Sequence, residues 1–215
     1  MLNKLFHYCY FFLEEIYHLK KIKNFLKKNY KFKFIYDIGA HRGKYSLLFD
    51  EIFTNSEVFA FEPDLRNYEY LIENIKKKTN IKPFNIAITE RKGSFFLKRD
   101  QFNHYTSTLS EINFDSKTFK LKKMITGSNI DFIKKNKIEI KGDKLDNFIK
   151  KNNLPFPDFI KIDVEGHELQ ALNGMLKILK NKKIVLMIEI HNDDLYKNKT
   201  SDVNKLLKKL GFKLI

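Results

Sequence analysis

The sequence has one cysteine, no tryptophan and four arginines among its 41 basic residues. Because Cys9 has no second cysteine with which to pair, an intramolecular disulfide is excluded and a reducing compartment is compatible with the chain. The N-terminal apolar patch, Tyr8–Leu13, ends at two glutamates and is far shorter than the ~20 apolar residues that a membrane-spanning helix needs. No small-residue cleavage site of a secretory signal follows this patch. We therefore expect a cytoplasmic protein.

The charge of the chain is strongly positive, and lysine carries almost all of it. The formal net charge is +15 at pH 7, and the lysines are dispersed along the chain. Proteins that read nucleic acids rely on arginine for bidentate contacts and concentrate their basic residues on one face. The composition therefore does not favour a nucleic-acid partner, whereas an attraction to anionic surfaces or acidic substrates stays open.

The N-terminal segment, residues 1–30, has the pattern of an amphipathic helix. Its apolar residues recur near helical spacing at Leu5, Phe12, Ile16, Leu19, Ile22 and Leu26. We expect this helix to pack on its own domain. Its lysine-rich end leaves a peripheral contact with a membrane surface open.

Residues 31–215 are expected to form one domain, because short apolar runs alternate there with amphipathic stretches. Such alternation predicts an α/β fold with a doubly wound, mostly parallel sheet. Within it, "KPFNIAIT" is predicted to be a single third strand and "GFKLI" a last strand. The stretch of about 100–137 breaks the alternation, and its length and aromatic residues predict an ordered cap.

Two glycines follow the first predicted strand. "FIYDIGAHRGKYS" places Gly39 and Gly43 where a sharp turn lets the backbone approach a ligand, but their spacing is not the G-x-G-x-x-G of dinucleotide sites. Asp37, just before the turn, would repel phosphates and attract an ammonium group such as that of S-adenosylmethionine. Glu62 ends the second predicted strand, where an acid can accept hydrogen bonds from ribose hydroxyls. The alternative role of Glu62 is a helix N-cap before Pro63.

A second group of polar residues follows two neighbouring strands. "FIKIDVEGHELQAL" places Asp163, Glu165 and His167 where a strand ends and a helix begins, and "KIVLMIEIHND" places Glu189 and His191 after the next strand. Helix capping would explain one acidic strand end. Two such ends favour a ligand site, because open α/β sheets bind ligands at the carboxyl ends of their strands.

Five stretches taken together resemble the FkbM-type methyltransferases: "DIGAHRGKYSLLF", "VFAFEPDLRNYEYLIEN", "NIAI", "KLDNFI" and "FIKIDVEGHELQALNGM". The resemblance implies a class I, Rossmann-like methyltransferase fold that uses S-adenosylmethionine, typically to methylate hydroxyl groups of sugars or natural products. The site residues that it implies are the cofactor loop with Asp37, Gly39, Ala40 and Gly43, the ribose acid Glu62, and the post-strand residues Asp163, Glu165, Gly166 and Glu168. The sequence departs from the class I pattern at its end, where "GFKLI" stands in place of an antiparallel hairpin.

Two mechanisms fit the acidic strand ends. Transfer of a methyl group to a hydroxyl needs an aligned acceptor and a base, and the candidate bases are His191, Glu165 and His167, with Asp163 facing the transferred methyl group. Alternatively, Asp163, Glu165 and Glu189 could hold Mg²⁺ or Mn²⁺ that lowers the pKa of the hydroxyl.

Further residues and functions stay open. Tyr105, Thr106 and Ser107 in the cap are candidates for contacts with a small-molecule or glycan acceptor, and Lys161 is expected to extend toward a sheet edge. A nicotinamide-dependent oxidoreductase is disfavoured by Asp37 and by the missing dinucleotide motif. A nucleic-acid methyltransferase is disfavoured because N-P-P-Y and D-P-P-Y motifs are absent. A non-catalytic domain that only binds S-adenosylmethionine is the remaining alternative.

Overall fold

A computed structural model describes residues 17–99, 107–126, 130–181, 183–190, 194–196 and 200–215. Helix α1 covers residues 17–29 of this part. Its Leu26 is buried, and its Lys23 pairs with Glu51 of the next helix, so this segment packs on the domain. Residues 1–16 of the predicted N-terminal helix lie outside the described residues, and its membrane contact stays a prediction. In the described part, no helix has the length and apolar character to cross a membrane.

The centre of the domain is a parallel sheet, as predicted. Its strands are β1 (Phe34–Ile38), β2 (Glu57–Phe61), β3 (Ile81–Phe84), β7 (Phe159–Ile162) and β8 (Val185–Ile188). They lie in the order β3-β2-β1-β7-β8. The strands β2 and β3 are therefore added on one side of β1, and β7 later pairs with the other side of β1. This reversal of direction leaves a crevice at the carboxyl ends of β1 and β7, which is where doubly wound sheets bind ligands.

Helices cover both faces of the central sheet. They are α2 (Lys44–Ile52), α3 (Leu65–Ile75), α6 (Leu145–Lys151), α7 (Glu168–Asn173), α8 (Leu176–Leu179) and α9 (Thr200–Lys209). Two further helices, α4 (Lys117–Thr126) and α5 (Ile130–Lys135), belong to the cap. Alternate strand residues enter two different hydrophobic cores: Ile35 and Val58 belong to the core beneath α2 and α3, and Tyr36 and Phe59 to the core beneath α6 to α8. Because both faces are buried, the strands are apolar at nearly every position.

The predicted third strand is wrong in its extent. The structure divides "KPFNIAIT" between β3 and a short strand β4 (Ala87–Ile88) of a second sheet, where β6 (Lys137–Asp143) pairs with both β4 and β5 (Gly93–Lys98). The strand structure is interrupted at Asn85, whose side-chain amide donates hydrogen bonds to the carbonyls of Glu62 and Pro63. These bonds hold the segment against the end of β2 and turn it out of the central sheet.

The predicted last strand is also wrong. Residues 211–215 have no strand structure, and Leu214 and Ile215 are exposed. Gly211 has φ +84° and closes the end of α9, where the Phe212 N–H donates to the Leu207 carbonyl. This helix end directs Phe212 onto the core beneath α6 to α8 instead of into a sheet.

The described part of the cap contains two helices after an irregular segment at residues 107–116. Helices α4 and α5 bury Phe119 and Ile133 in a small core of their own, together with Leu195 and Tyr196 from the segment after β8. Residues 107–113, which precede α4, run over the turn that follows β7. The cap therefore adjoins the carboxyl ends of the central strands.

Candidate cofactor and acceptor site

A cavity of about 300 Å³ opens at the carboxyl ends of β1, β2 and β7. Most of the residues that the sequence predicted for the site line it, namely Gly39, Ala40, Glu62, Asp163, Glu165, His167 and Glu189. Two predicted cofactor residues, Asp37 and Gly43, do not line it and lie behind the loop. His191, Tyr105 and Thr106 lie outside the described residues.

The turn after β1 requires glycine at its first position. Gly39 has φ +78°, and a Cβ there would lie 1.8 Å from the carbonyl oxygen of Asp163. The N–H groups of Gly39 and Ala40 both donate to the Phe61 carbonyl at 3.0 Å, which ties the turn to the end of β2. Gly43 has a different role, because it precedes α2 at φ +86° and a Cβ there would lie 2.6 Å from the side chain of Leu71. Gly39 therefore shapes the cavity wall, and Gly43 lets α2 pack on α3.

Glu62 joins the turn to the second strand. Its carboxylate accepts hydrogen bonds from the N–H groups of His41 and Asp64, each at 2.8 Å. Burial raises the pKa of Glu62 to about 8, although these two N–H donors act in the opposite direction. The N-cap of α3 is Asp64, whose side chain accepts from the Arg66 N–H at 3.0 Å. The alternative role of Glu62 as that N-cap is therefore wrong, and its carboxylate borders the cavity.

Lys161 is the residue whose role the sequence reasoning missed. Its side chain does not extend to a sheet edge: only 3% of it is exposed, and the ammonium group lies 3.3 Å from Oδ1 of Asp37 and 3.2 Å from Oδ2 of Asp163. It also donates a hydrogen bond of 3.0 Å to the Gly39 carbonyl. The two carboxylates raise the pKa of Lys161 against the effect of its burial, so the ammonium form is retained. Asp37 and Lys161 are register partners on β1 and β7, which is why these charges meet.

The turn after β7 holds Glu165 in a left-handed conformation. Glu165 has φ +51° and Gly166 has φ +90°, an arrangement that is strained for a glutamate. The hydroxyl of Thr108 donates to the Glu165 carbonyl, and the hydroxyl of Ser110 donates to the Gly166 carbonyl at 2.6 Å. Tyr196 donates to Oε2 of Glu165 at 2.8 Å. Thr108 and Ser110 lie in the cap, and Tyr196 lies in the segment after β8 that packs against it. None of these three donors was predicted from the sequence.

One of the acids in this turn has a structural role. Glu168 is buried, and its Oε1 accepts a hydrogen bond of 2.9 Å from the Gly166 N–H, so it stabilises the turn from inside the first helical residues of α7. Glu165 has a different environment, because its carboxylate borders the cavity. The two acids of this motif therefore have different roles: Glu168 stabilises the turn, and Glu165 borders the cavity.

Three buried polar atoms on the cavity wall have no hydrogen-bond partner among the described residues. They are Oδ1 of Asn67, Oγ of Ser107 and Nε2 of His167. Buried polar atoms in native proteins are normally paired, so these atoms are candidates for hydrogen bonds to a ligand or to water. Burial lowers the pKa of His167 to about 4, and its imidazole is therefore neutral near pH 7.

The predicted metal site finds no support in the described residues. No group of three or more His, Cys, Asp or Glu side chains in this part of the chain could hold a metal ion. Asp163, which would have been its central ligand, is paired with Lys161. Glu189 directly follows β8 and borders the cavity, and its N–H donates a hydrogen bond to the Ile162 carbonyl.

Comparison with known proteins gives a consistent result. The model of the family described as "Methyltransferase FkbM domain" matches residues 37–214. The chain is 26% identical over 162 residues to Hexuronic acid methyltransferase AglP of Haloferax volcanii, an alignment that covers 73% of this chain. The chain thus spans 55% of the length of this curated relative.

Two solved structures share the fold. A methyltransferase FkbM from Methylobacillus flagellatus has a TM-score of 0.51 at 19% identity, over 84% of this chain and 36% of that one. A putative caffeoyl-CoA O-methyltransferase from Staphylococcus aureus has a TM-score of 0.50 at 12% identity, over 91% of this chain and 75% of that one. These similarities confirm the predicted class I methyltransferase fold.

Proposed function

We propose that this chain, which belongs to the FkbM family of methyltransferases, transfers a methyl group from S-adenosylmethionine to a hydroxyl group of a sugar or another small-molecule or glycan acceptor. The observation that carries the proposal is the pairing of the Gly39 turn with the buried acid Glu62 beside the cavity. Glycine brings the backbone close to a ligand, and a carboxylate at the end of the second strand suits a ribose.

The residues present fit this cofactor. Glu62 would accept hydrogen bonds from the ribose hydroxyls. Asn67 lies in the first turn of α3, and its Oδ1, which has no partner among the described residues, offers a further acceptor. The Gly39 turn and Asp163 would hold the methionine end. When bound, S-adenosylmethionine supplies a methyl group on a positively charged sulfur, which is a strong electrophile.

The acceptor would be aligned by the turn after β7 and by the cap. Glu165 and Ser107 offer hydrogen-bonding atoms for hydroxyl groups at the cavity wall. As the acceptor oxygen forms its bond to the methyl carbon and the carbon–sulfur bond breaks, the hydroxyl proton must leave. Nε2 of His167 can accept that proton when the imidazole proton resides on Nδ1, since the ring is neutral near pH 7. His191 and Glu165 remain the alternative bases.

The relative in Haloferax volcanii is named for hexuronic acid, which supports a sugar as the acceptor class. The composition of the cavity wall is compatible with a hydroxylated ligand, because its unpaired atoms are hydrogen-bonding groups and not cations. The size of the cavity, about 300 Å³, lies at the lower end of the range for small-molecule sites.

Two measurements test the proposal. Calorimetric titration with S-adenosylmethionine, S-adenosylhomocysteine and NADH should give binding of the first two ligands alone. Transfer of tritiated methyl groups should then be detected to methyl glycosides of hexoses or hexuronic acids. Glu62→Ala should weaken S-adenosylmethionine by about 1.5–3 kcal/mol, because it removes charged hydrogen-bond acceptors.

The matched control is Glu139→Ala, which removes an exposed glutamate on β6 and should leave the affinity unchanged. Binding of S-adenosylhomocysteine without transfer to any glycoside would overturn the sugar acceptor and favour a non-catalytic domain or another acceptor. Absence of binding to either adenosyl ligand would overturn the methyltransferase proposal.

A further inference from the structure

Three charged groups, two buried and one partly exposed, lie together beside the turn that would hold the cofactor. The ammonium group of Lys161 lies within 3.3 Å of the carboxylates of Asp37 and Asp163. Their side-chain exposures are 3%, 0% and 23%, so water screens these charges poorly. Because the ammonium group also donates to the Gly39 carbonyl, the cluster is in direct contact with the turn.

The cluster has one uncompensated negative charge. Asp37 and Asp163 each contribute one negative charge, and Lys161 cancels one of the two. Without this lysine, the two carboxylates would place a double negative charge beneath the turn. Lys44 and Glu189 also border the cavity, but they lie on other elements and would be the same in any variant of the cluster.

This local charge acts on the difference between the methyl donor and its product. S-adenosylmethionine and S-adenosylhomocysteine differ by one methyl group and by the positive charge on sulfur. A negative charge under the turn therefore favours the donor over the product.

We propose that Lys161 is a specificity-determining residue, which sets the preference of the site for S-adenosylmethionine over S-adenosylhomocysteine by cancelling one of the two carboxylate charges beneath the cofactor turn. The inference rests on the proposed function, because it assumes that the cavity holds this cofactor. It differs from a purely structural role of Lys161, since a loss of packing would weaken both ligands equally.

Three variants change the charge of the cluster while keeping side chains of similar size. Lys161→Met changes the net charge from −1 to −2, Asp37→Asn changes it to 0, and the double variant Lys161→Met with Asp37→Asn restores −1 while both ion-pair partners are altered. The dissociation constants of the two ligands are measured by calorimetry at constant ionic strength. The quantity of interest is the ratio of the constant for the product to that for the donor.

The expected ratio follows the charge. It should be highest in Lys161→Met, intermediate and similar in the wild type and the double variant, and lowest in Asp37→Asn. The change should be at least roughly tenfold per unit of charge, the effect of a unit charge about 12 Å away in a medium of effective dielectric constant about 20. Lys98→Met is the control, because Lys98 also donates to a backbone carbonyl, that of Ser110 at 2.8 Å, but does not border the cavity. Its ratio should equal that of the wild type.

A ratio that is the same in all folded variants, with both affinities reduced in proportion, would overturn the inference and leave Lys161 with a structural role. A double variant that resembles Lys161→Met instead of the wild type would also overturn it. If the uncompensated carboxylates prevent Lys161→Met from folding, Asp37→Asn and the double variant still give the ordering. Failure of the wild type to bind either ligand would instead contradict the proposed function itself.

Discussion

The hydroxyl group of Tyr196 donates a hydrogen bond of 2.8 Å to Oε2 of Glu165, and this bond connects the core of the cap to the turn that borders the cavity. The ring of Tyr196 also packs on Gly166, where an added Cβ would lie 2.5 Å from the ring. Glu165 therefore keeps its left-handed backbone while its carboxylate is oriented by Tyr196, a residue from the segment after β8 that packs in the core of the cap. Strain of this type persists only where the surroundings determine the conformation.

Tyr196→Phe should reduce methyl transfer while the affinity for S-adenosylmethionine is retained. The variant removes the donor that orients Glu165 but keeps the ring on Gly166, so the acceptor side of the site is affected and the cofactor turn is not. The loss of folding free energy should be about 1.5–3 kcal/mol, the range for a hydrogen bond to a charged group. Initial transfer rates to the glycoside acceptors, calorimetry and urea unfolding measure these three quantities.

Tyr36→Phe is the matched control for this prediction. The hydroxyl of Tyr36 also donates a hydrogen bond of 2.8 Å, in this case to the Pro155 carbonyl, and Tyr36 does not border the cavity. This variant should lower stability by about 0.5–1.5 kcal/mol and leave the transfer rate unchanged. Equal losses of transfer rate in the two variants would show that Tyr196 acts only through stability.

The parts of the site that follow directly from sequence are those with local causes. Gly39 and Glu62 follow buried strands at the positions where a turn and a strand end are expected, and the structure places both on the cavity wall. The parallel sheet was predictable for a similar reason, since short apolar runs alternating with helices have few other solutions.

The parts that sequence reasoning missed depend on contacts between distant segments. Lys161 and Gly39 are 122 residues apart, and only the register of β1 and β7 brings Lys161 beside Asp37. An alternation pattern identifies Lys161 as a polar residue in a buried strand but does not identify its partner. The Tyr196–Glu165 bond depends in the same way on how the cap closes over the turn.

The ionisation of Glu62 should couple pH to stability. The pKa of Glu62 is about 8 in the folded protein, against an ordinary value of 4.5. Between these values the folded state retains a proton that the unfolded state has lost. The contribution of Glu62 to the free energy of unfolding is therefore fully present below pH 4.5 and is lost as pH rises through about 8. Glu62→Gln should remove this dependence. Urea unfolding across the range should show a wild-type curve that falls with pH relative to the curve of the variant.

The same ionisation should appear in cofactor binding. Ribose hydroxyls donate hydrogen bonds to the carboxylate form, so binding of S-adenosylmethionine below the pKa of about 8 should release a proton from Glu62. Calorimetry in two buffers of different ionisation enthalpy measures this release directly. Proton release of the same size in Glu62→Gln would assign it to another group.

His167 should have the opposite effect on stability. Burial lowers its pKa from 6.5 to about 4, so the unfolded state takes up a proton first as pH falls. The contribution of His167 to the free energy of unfolding is therefore fully present above pH 6.5 and is lost as pH decreases through about 4. His167→Gln should reduce this acid-side loss. If His167 is the base, its replacement should also slow transfer by roughly 10²–10⁴-fold. A variant with an unchanged transfer rate would leave His167 with a structural role.

Gly39→Ala should disrupt the site, and Gly211→Ala provides an unusually close control. Both glycines have similar positive φ values, +78° and +84°, so an alanine pays a comparable backbone cost of roughly 1–2 kcal/mol at either position. They differ in the space around the added methyl group: at Gly39 it would lie 1.8 Å from the Asp163 carbonyl oxygen, and at Gly211 no described atom lies within 4 Å. The overlap should cost Gly39→Ala about 1–3 kcal/mol more in unfolding free energy, as measured by urea denaturation.

Because the displaced turn also carries the N–H group that binds Glu62, S-adenosylmethionine affinity should fall in Gly39→Ala and stay at the wild-type value in Gly211→Ala. Equal unfolding free energies for the two variants would mean that the turn can move away from Asp163 at little cost, and the close approach of β1 and β7 would then not be what shapes the cavity.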